Sequence, residues 1–188
     1  MADTTSNPAG NSPSEASAGQ TTAGQSTARS LIAARLADAS LTWSEFRGQQ
    51  RVAVKASDLT AALTAARDAG MDQLIDITAV DLLEYPGATD RFEVVYLLLN
   101  TESGERLIVK TYLNEPELRL PSAMPIWFGA DWLEREVYDM FGIVFDGHPN
   151  FKRLLLPQEF ESFPLRKDYP VKGRGERHNF PVITRAES

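Results

Sequence analysis

Residues Leu74–Leu113, LIDITAVDLLEYPGATDRFEVVYLLLNTESGERLIVKTYL, decide the fold class. Three β-rich runs, Leu74 to Leu83, Phe92 to Asn100 and Arg106 to Leu113, are divided by a Tyr85-Pro86-Gly87 loop and a Ser103-Gly104 turn, which predicts three strands. The middle run, VVYLLL, is apolar at odd and even positions alike, so it is expected to be a central strand covered on each side. The third alternates, with Leu107, Val109 and Leu113 on one face and Arg106 and Lys110 on the other. That pattern predicts a half-exposed strand.

Upstream the period is helical. Ser57 is expected to cap a helix in which Leu59, Leu63 and Ala66 align, with Gly70 closing it. Leu41 to Arg47 and Gln50 to Lys55 alternate around Gly48 as a hairpin whose inward set includes Val52 and Val54. A short helix is expected over Ala28 to Ala39, with Leu31, Ile32 and Leu36 on one side. Residues 1–27 consist of small and polar types that cannot offset the entropy of ordering, and are expected to be a disordered tail. They have neither the basic start and apolar centre of a secretory signal nor the arginines of a transit peptide, so the expected compartment is the cytoplasm.

Downstream, a proline-marked connection from Pro116 to Pro125 leads into ADWLEREVYDMFGIVFDGHPN, residues 130–150. This reads as a helix and a turn. Asp131 is the expected N-cap, Glu134 its capping-box partner, and Gly142 the left-handed residue past the end. Leu133, Val137, Met140 and Phe141 form an apolar face, from which Glu134, Arg135, Tyr138 and Asp139 fall away. Arg135 lies four residues from both Asp131 and Asp139 and can pair with either. From His148 onward prolines at 149, 157, 164, 170 and 181 exclude a long regular element. The result is an α+β domain over residues 28–147, with a mixed or antiparallel sheet and packed helices, followed by an extended C-terminal docking arm, 148–188.

With 188 residues, 43% of them hydrophobic, the chain can bury a core. Its net charge of −7 argues against backbone binding to nucleic acid. The absence of cysteine excludes disulfides and any thiolate-held zinc or iron–sulfur centre within the chain. The longest apolar run, Val94 to Leu99, is far short of the roughly 20 residues that span a bilayer.

The cluster Asp131, Glu134, Glu136 and Asp139, with His148 nearby, is the first candidate site. A metal site would need Glu-x-x-His units on facing helices or His-Glu-x-x-His, whereas the chain has only His148 and His178, both among prolines. Arg135 pairing favours an ion-pair network instead. Asp76 and Asp81 fall on opposite faces of a regular strand, which favours strand-end hydrogen bonding to backbone or to Arg91 over paired catalysis. No phosphate-loop pattern follows a predicted strand, and no nucleophile with base and orienting partner can be assembled. The last constellation is Phe163–Pro170, FPLRKDYP, where two prolines stiffen Leu165, Arg166, Lys167, Asp168 and Tyr169. A stiff peptide rich in interface-forming residues is expected to contact a partner, the alternative being a tail folded back on its own domain.

The run ADWLEREVYDMFGIVFDGHPNFKRLLLP followed by PLRKDYP resembles the 30 kDa subunit family of proton-pumping NADH:quinone oxidoreductase, respiratory complex I. LIDITAVD, RFEVVYLL and PSAMPIW extend the resemblance over roughly Leu74 to Val171, with Ser162 as a departure where relatives usually carry glycine. It implies a non-catalytic subunit of the peripheral arm, beside the large quinone-site subunit and neighbouring iron–sulfur subunits. Iron–sulfur clusters, FMN, NADH and quinone would then belong to the partners, with no cofactor in this chain. Membrane association would come only through the complex, at the cytoplasmic face of a bacterial inner membrane. The helix residues named above, together with His148, Arg153 and the arm residues, become structural and interface candidates. Two alternatives stay open: the equivalent subunit of a membrane-bound hydrogenase-type complex, and a free-standing metal-dependent hydrolase using Asp131, Glu134, Glu136 and His148.

Overall fold

A computed structural model describes residues 23–176. The expected N-terminal disorder therefore falls largely outside the described residues, as does the end of the arm, 177–188. Helix α1 (Ala23–Arg35) begins five residues ahead of the predicted Ala28. It is held through Ala28, Ile32 and Leu36, all buried in the core, while Leu31 stays 41% exposed. Strands β1 (Thr42–Phe46) and β2 (Gln49–Val54) form the predicted hairpin around Arg47 and Gly48, both at positive φ. A 3-10 turn, Ala56–Asp58, leads into α2 (Leu59–Asp68). Ser57 does not cap that helix, because its hydroxyl is turned onto Asp58 at 3.3 Å. The apolar set is as expected, with Leu59, Leu63 and Ala66 buried and Gly70 at φ +97° behind the helix.

Strands β3 (Gln73–Asp81), β4 (Phe92–Leu99) and β5 (Arg106–Leu113) complete a five-stranded sheet of order β1-β2-β5-β4-β3. Its strands are antiparallel except for the β2–β5 pair, so the sheet is mixed. Strand β4 is central, but its two faces differ. Phe92, Val94, Tyr96 and Leu98 are fully buried, whereas Val95, Leu97 and Leu99 are half-buried. Strand β5 keeps the predicted faces, with Leu107, Val109 and Leu113 in the core and Arg106 and Tyr112 open, but it is less exposed than expected because Ile108, on the Arg106 face, is also buried.

Two three-residue strands, β6 (Arg119–Pro121) and β7 (Val144–Asp146), pair in parallel and bracket α3 (Ala130–Phe141). The amino-acid pattern does not announce this ladder, since three residues are too few to show a period. It ties the two ends of the α3 segment to each other. Val137 and Phe141 enter the core, and Leu133 and Met140 pack at its margin. Gly142 stands past the end at φ +78°, as predicted.

Candidate functional site

The polar side of α3 carries most of the candidates read from the sequence, and much of it is buried. The helix starts one residue before the expected cap, with Gly129 at the N-cap and no side-chain capping bond. Asp131 is therefore in the first turn and Glu134 is free to turn inward. Glu134 is fully buried, and its carboxylate accepts from Ser122 Oγ at 2.7 Å and from the Ala123 N–H at 2.6 Å. This corrects the capping box: two oxygens that would have served the helix's own amides instead hold the loop after β6. Burial raises the Glu134 pKa, and the two hydrogen bonds oppose the rise. The neighbouring Tyr96 hydroxyl is pushed up by its own burial and by the Glu134 carboxylate.

Asp139 is also fully buried. Its Oδ2 accepts from the N–H groups of Leu154 and Leu155 at 2.6 Å each and of Leu156 at 3.3 Å. Its Oδ1 faces Arg153 Nη1 at 3.2 Å. The predicted pairing of Arg135 with Asp139 is thus replaced by Arg153, which leaves Arg135 3.8 Å from Asp131. Arg135 also donates to the carbonyls of Lys152 and Arg153 at 2.9 and 3.3 Å. Asp131 and Arg135 hold one end of residues 148–156, and Asp139 holds the other.

His148 belongs to the same clamp. Its side chain is buried, Nδ1 accepts from the Asn150 N–H at 3.1 Å, and Nε2 lies 3.2 Å from both the carbonyl and Oδ1 of Asp131. With Nδ1 as acceptor, the proton sits on Nε2. Glu136 stands apart, exposed to solvent. Among the described residues no group of three or more histidine and carboxylate side chains is arranged to hold a metal.

Within the chain the arm folds back on its own domain, the alternative the sequence leaves open, through part of its residues. Leu165 N–H donates to the Met140 carbonyl at 3.1 Å and Arg166 Nε to the Phe141 carbonyl at 2.6 Å, covering orphan acceptors at the end of α3. Arg166 also pairs with Glu115 at 2.9 Å, and its guanidinium lies over Phe163, 4.6 Å from the ring centroid. Asp81, buried at the end of β3, accepts from the Leu83 N–H at 3.0 Å and the Lys167 N–H at 2.9 Å. Arg91 completes the network, 3.6 Å from Asp81, 2.7 Å from Glu115 and 2.8 Å from Asp168. That pairing holds the Asp168 carboxyl below its usual range. Tyr169 packs near Phe160 and donates to Glu176 at 2.9 Å. The Leu165 and Lys167 side chains remain exposed.

Asp76 and Asp81 lie on opposite faces of β3, and Asp81 makes the strand-end backbone bonds expected of it. Ser122, Glu115 and Phe163 are not singled out as site residues by sequence, although each anchors this region. Only Phe163 carries a signal, its position at the head of the proline-bracketed run. Glu134, Asp139, Asp81, Arg135 and Arg166 each bond main-chain atoms of another segment, and Arg91, Arg153 and Glu115 add side-chain pairs. Chemically, this arrangement fixes one stretch of chain against another.

Residues 52–175 match the respiratory-chain NADH dehydrogenase 30 kDa subunit family. The C subunit of NADH-quinone oxidoreductase from Brucella abortus (strain 2308) is 42% identical over 76% of this chain and 70% of its own length. Its counterpart in Brucella ovis has the same identity over the same shares. Among solved structures, a trypsin-resistant fragment of Nqo5 aligns with a TM-score of 0.57 at 35% identity, covering 65% of this chain and 96% of that one. A chain of the membrane-bound sulfane sulfur reductase, an archaeal respiratory membrane complex, aligns with a TM-score of 0.64 over 84% of this chain and 91% of its own, and at 24% identity it speaks to fold alone. The chain belongs to the 30 kDa subunit family of respiratory-chain NADH dehydrogenases.

Proposed function

We propose that this chain is a structural and assembly subunit of the peripheral arm of a proton-pumping NADH:quinone oxidoreductase, with no catalytic centre of its own. The observation that carries the reading is the use made of its buried acids. Glu134, Asp139 and Asp81 each accept main-chain N–H groups. A general acid or base needs a reacting group within hydrogen-bond reach, and these three carboxylates are already engaged in holding loops. Flavin, iron–sulfur clusters and quinone belong in this reading to partner subunits, chiefly the large quinone-site subunit and its iron–sulfur neighbours. The chain is held at the cytoplasmic face of the inner membrane through them. Among the described residues no helix is long and apolar enough to cross a membrane, which is consistent with such a peripheral place.

Purification of a tagged chain from native membranes tests this. The expected result is co-purification of a complex that oxidises NADH and reduces quinone. Recovery with a hydrogenase-type complex would move the chain to a related assembly. Recovery of the chain alone, with stoichiometric metal and hydrolytic turnover, would overturn the proposal.

A further inference from the structure

The core lies on one face of the five-stranded sheet, and the other face carries exposed and half-buried residues apart from the buried Ile108. Register places Val95, Leu97 and Leu99 of β4 opposite Lys110, Ile108 and Arg106 of β5, and Arg51 and Ala53 of β2 beside Ile108 and Lys110. Val95, Leu97 and Leu99, large apolar residues of a central strand, are half-buried and belong neither to the core cluster nor to its margin, and Ile108 beside them is buried at 9% exposure but lies outside that cluster. Ile75, at the bulge in β3 beside them, is 42% exposed, and Gln49, Ile75, Leu97, Arg106 and Ile108 border a depression of about 260 Å³. An apolar band over two central strands is unusual for a surface left to water.

The charges around the band are sorted. Lys110 is neutralised by an ion pair with Glu93. Arg51, held over Phe46 at 4.6 Å from the ring centroid, and Arg106 have no ion-pair partner among the described residues. On the far side of the band Asp76 sits opposite Leu97. The face is therefore basic toward β2 and β5, apolar in the middle and acidic toward β3.

We infer that this face docks an amphipathic helix of a neighbouring subunit, with an apolar stripe along β4 and β5, carboxylates over Arg51 and Arg106, and a cation over Asp76. The partner rests on the complex-subunit reading above; the surface itself does not. From Leu99 to Val95 the strand runs about 13 Å, which a helix of roughly ten residues spans. A helix is the element that buries a half-apolar sheet face, as α3 does against β3 and β4 on the other side.

The test uses the full chain in the complex from native membranes. A benzophenone amino acid at position 97 should crosslink to a peptide of another subunit that carries both apolar and acidic residues. Leu97→Asp and Arg106→Glu, with melting temperatures close to wild type, should each lower recovery of the other subunits by roughly tenfold. Crosslinks confined to residues 1–22 or 177–188 of the same chain, or to a second copy, would overturn the inference. So would wild-type recovery with both variants. If the wild-type chain itself recovers no other subunit, the complex-subunit reading fails and takes the partner with it, a result distinct from variant-only loss.

Discussion

Asp139 Oδ2 lies 2.6 Å from the main-chain nitrogen of Leu154, so a helix residue that belongs to the polar face by its spacing serves as the anchor of a loop fifteen residues away. The same oxygen takes the Leu155 amide, and Arg153 closes the other side. Residues 148–156 have no regular structure of their own, and their path is set largely by this one carboxylate together with the Asp131, Arg135 and His148 clamp.

Asp139→Ala should consequently destabilise the protein by about 3–5 kcal/mol, the range for removing one partner of a buried charge pair, since the Arg153 guanidinium and three amides lose their acceptor. Urea unfolding measures the loss. Limited proteolysis should show new cleavage between 150 and 157 before global unfolding. A midpoint equal to wild type would show that the anchor contributes nothing.

Glu134 gives a pH-dependent expectation whose sign follows from its burial. Its folded pKa is raised, so the folded state holds the proton more tightly than the unfolded chain. This group therefore costs stability above its folded pKa, and the cost is relieved as the pH falls through that value toward the ordinary carboxylate pKa. Glu134→Gln retains a carbonyl acceptor for the Ala123 amide and removes the ionisation. Its stability relative to wild type should be greatest near neutrality and shrink on mild acidification, as read by urea unfolding across that window. A difference independent of pH would place the ionisation of Glu134 outside the range.

Much of the fold is legible in the sequence because period and punctuation agree: the three strands of 74–113, the hairpin around Gly48 and the left-handed Gly142 stand where their patterns put them. The polar half of α3 is not. Spacing identifies which residues share a helix face, but whether that face meets water depends on segments distant in sequence, here Ser122 for Glu134 and Leu154–Leu156 for Asp139. VVYLLL shows the same limit. Its apolar residues on both faces correctly signal a central strand, yet nothing local distinguishes a face covered by this chain from one left open. The arm's contacts within the chain are hidden for a related reason: Arg166 and Asp168 are interface residues by type, and the Glu115 and Arg91 they pair with lie far upstream.

Phe141 is 7% exposed and meets Phe92 edge-on at 6.5 Å between centroids. Phe141→Ala should cost about 3–5 kcal/mol through lost transfer energy and the cavity it leaves. An unchanged unfolding midpoint would mean that the ring does not fill the space between α3 and β4.

The Arg91–Asp168 pair predicts how the arm responds to acid. Asp168 has a folded pKa below the unfolded value, chiefly through its hydrogen bond to Arg91, so the contribution is complete above the ordinary carboxylate range and fades as the pH falls through the lowered pKa. Half the Asp168 side chain is exposed, so salt screens the pair. Protease sensitivity within 163–176 should rise in acid and in high salt while the sheet stays folded. Arg91→Ala should show that sensitivity at neutral pH and low salt. Equal resistance in wild type and variant would mean that the backbone bonds from Leu165 and Lys167 suffice.

Gly142 joins the helix end to the arm, and its substitution separates the two roles. At φ +78° any other residue is strained, and a Cβ built there would lie 2.6 Å from Phe163 Cε2 and 2.7 Å from Arg166 Nη2. Strain in the left-handed region alone costs on the order of 1 kcal/mol. The clash adds to it only while Phe163 and Arg166 remain in place, so Gly142→Ala should both lower the unfolding midpoint and displace the arm, exposing 163–170 to protease. Gly142→Asn, which tolerates the left-handed conformation better, should recover part of the backbone cost and none of the clash. If Asn restores wild-type protease resistance, the close approach of Phe163 and Arg166 to Gly142 is not what seats the arm.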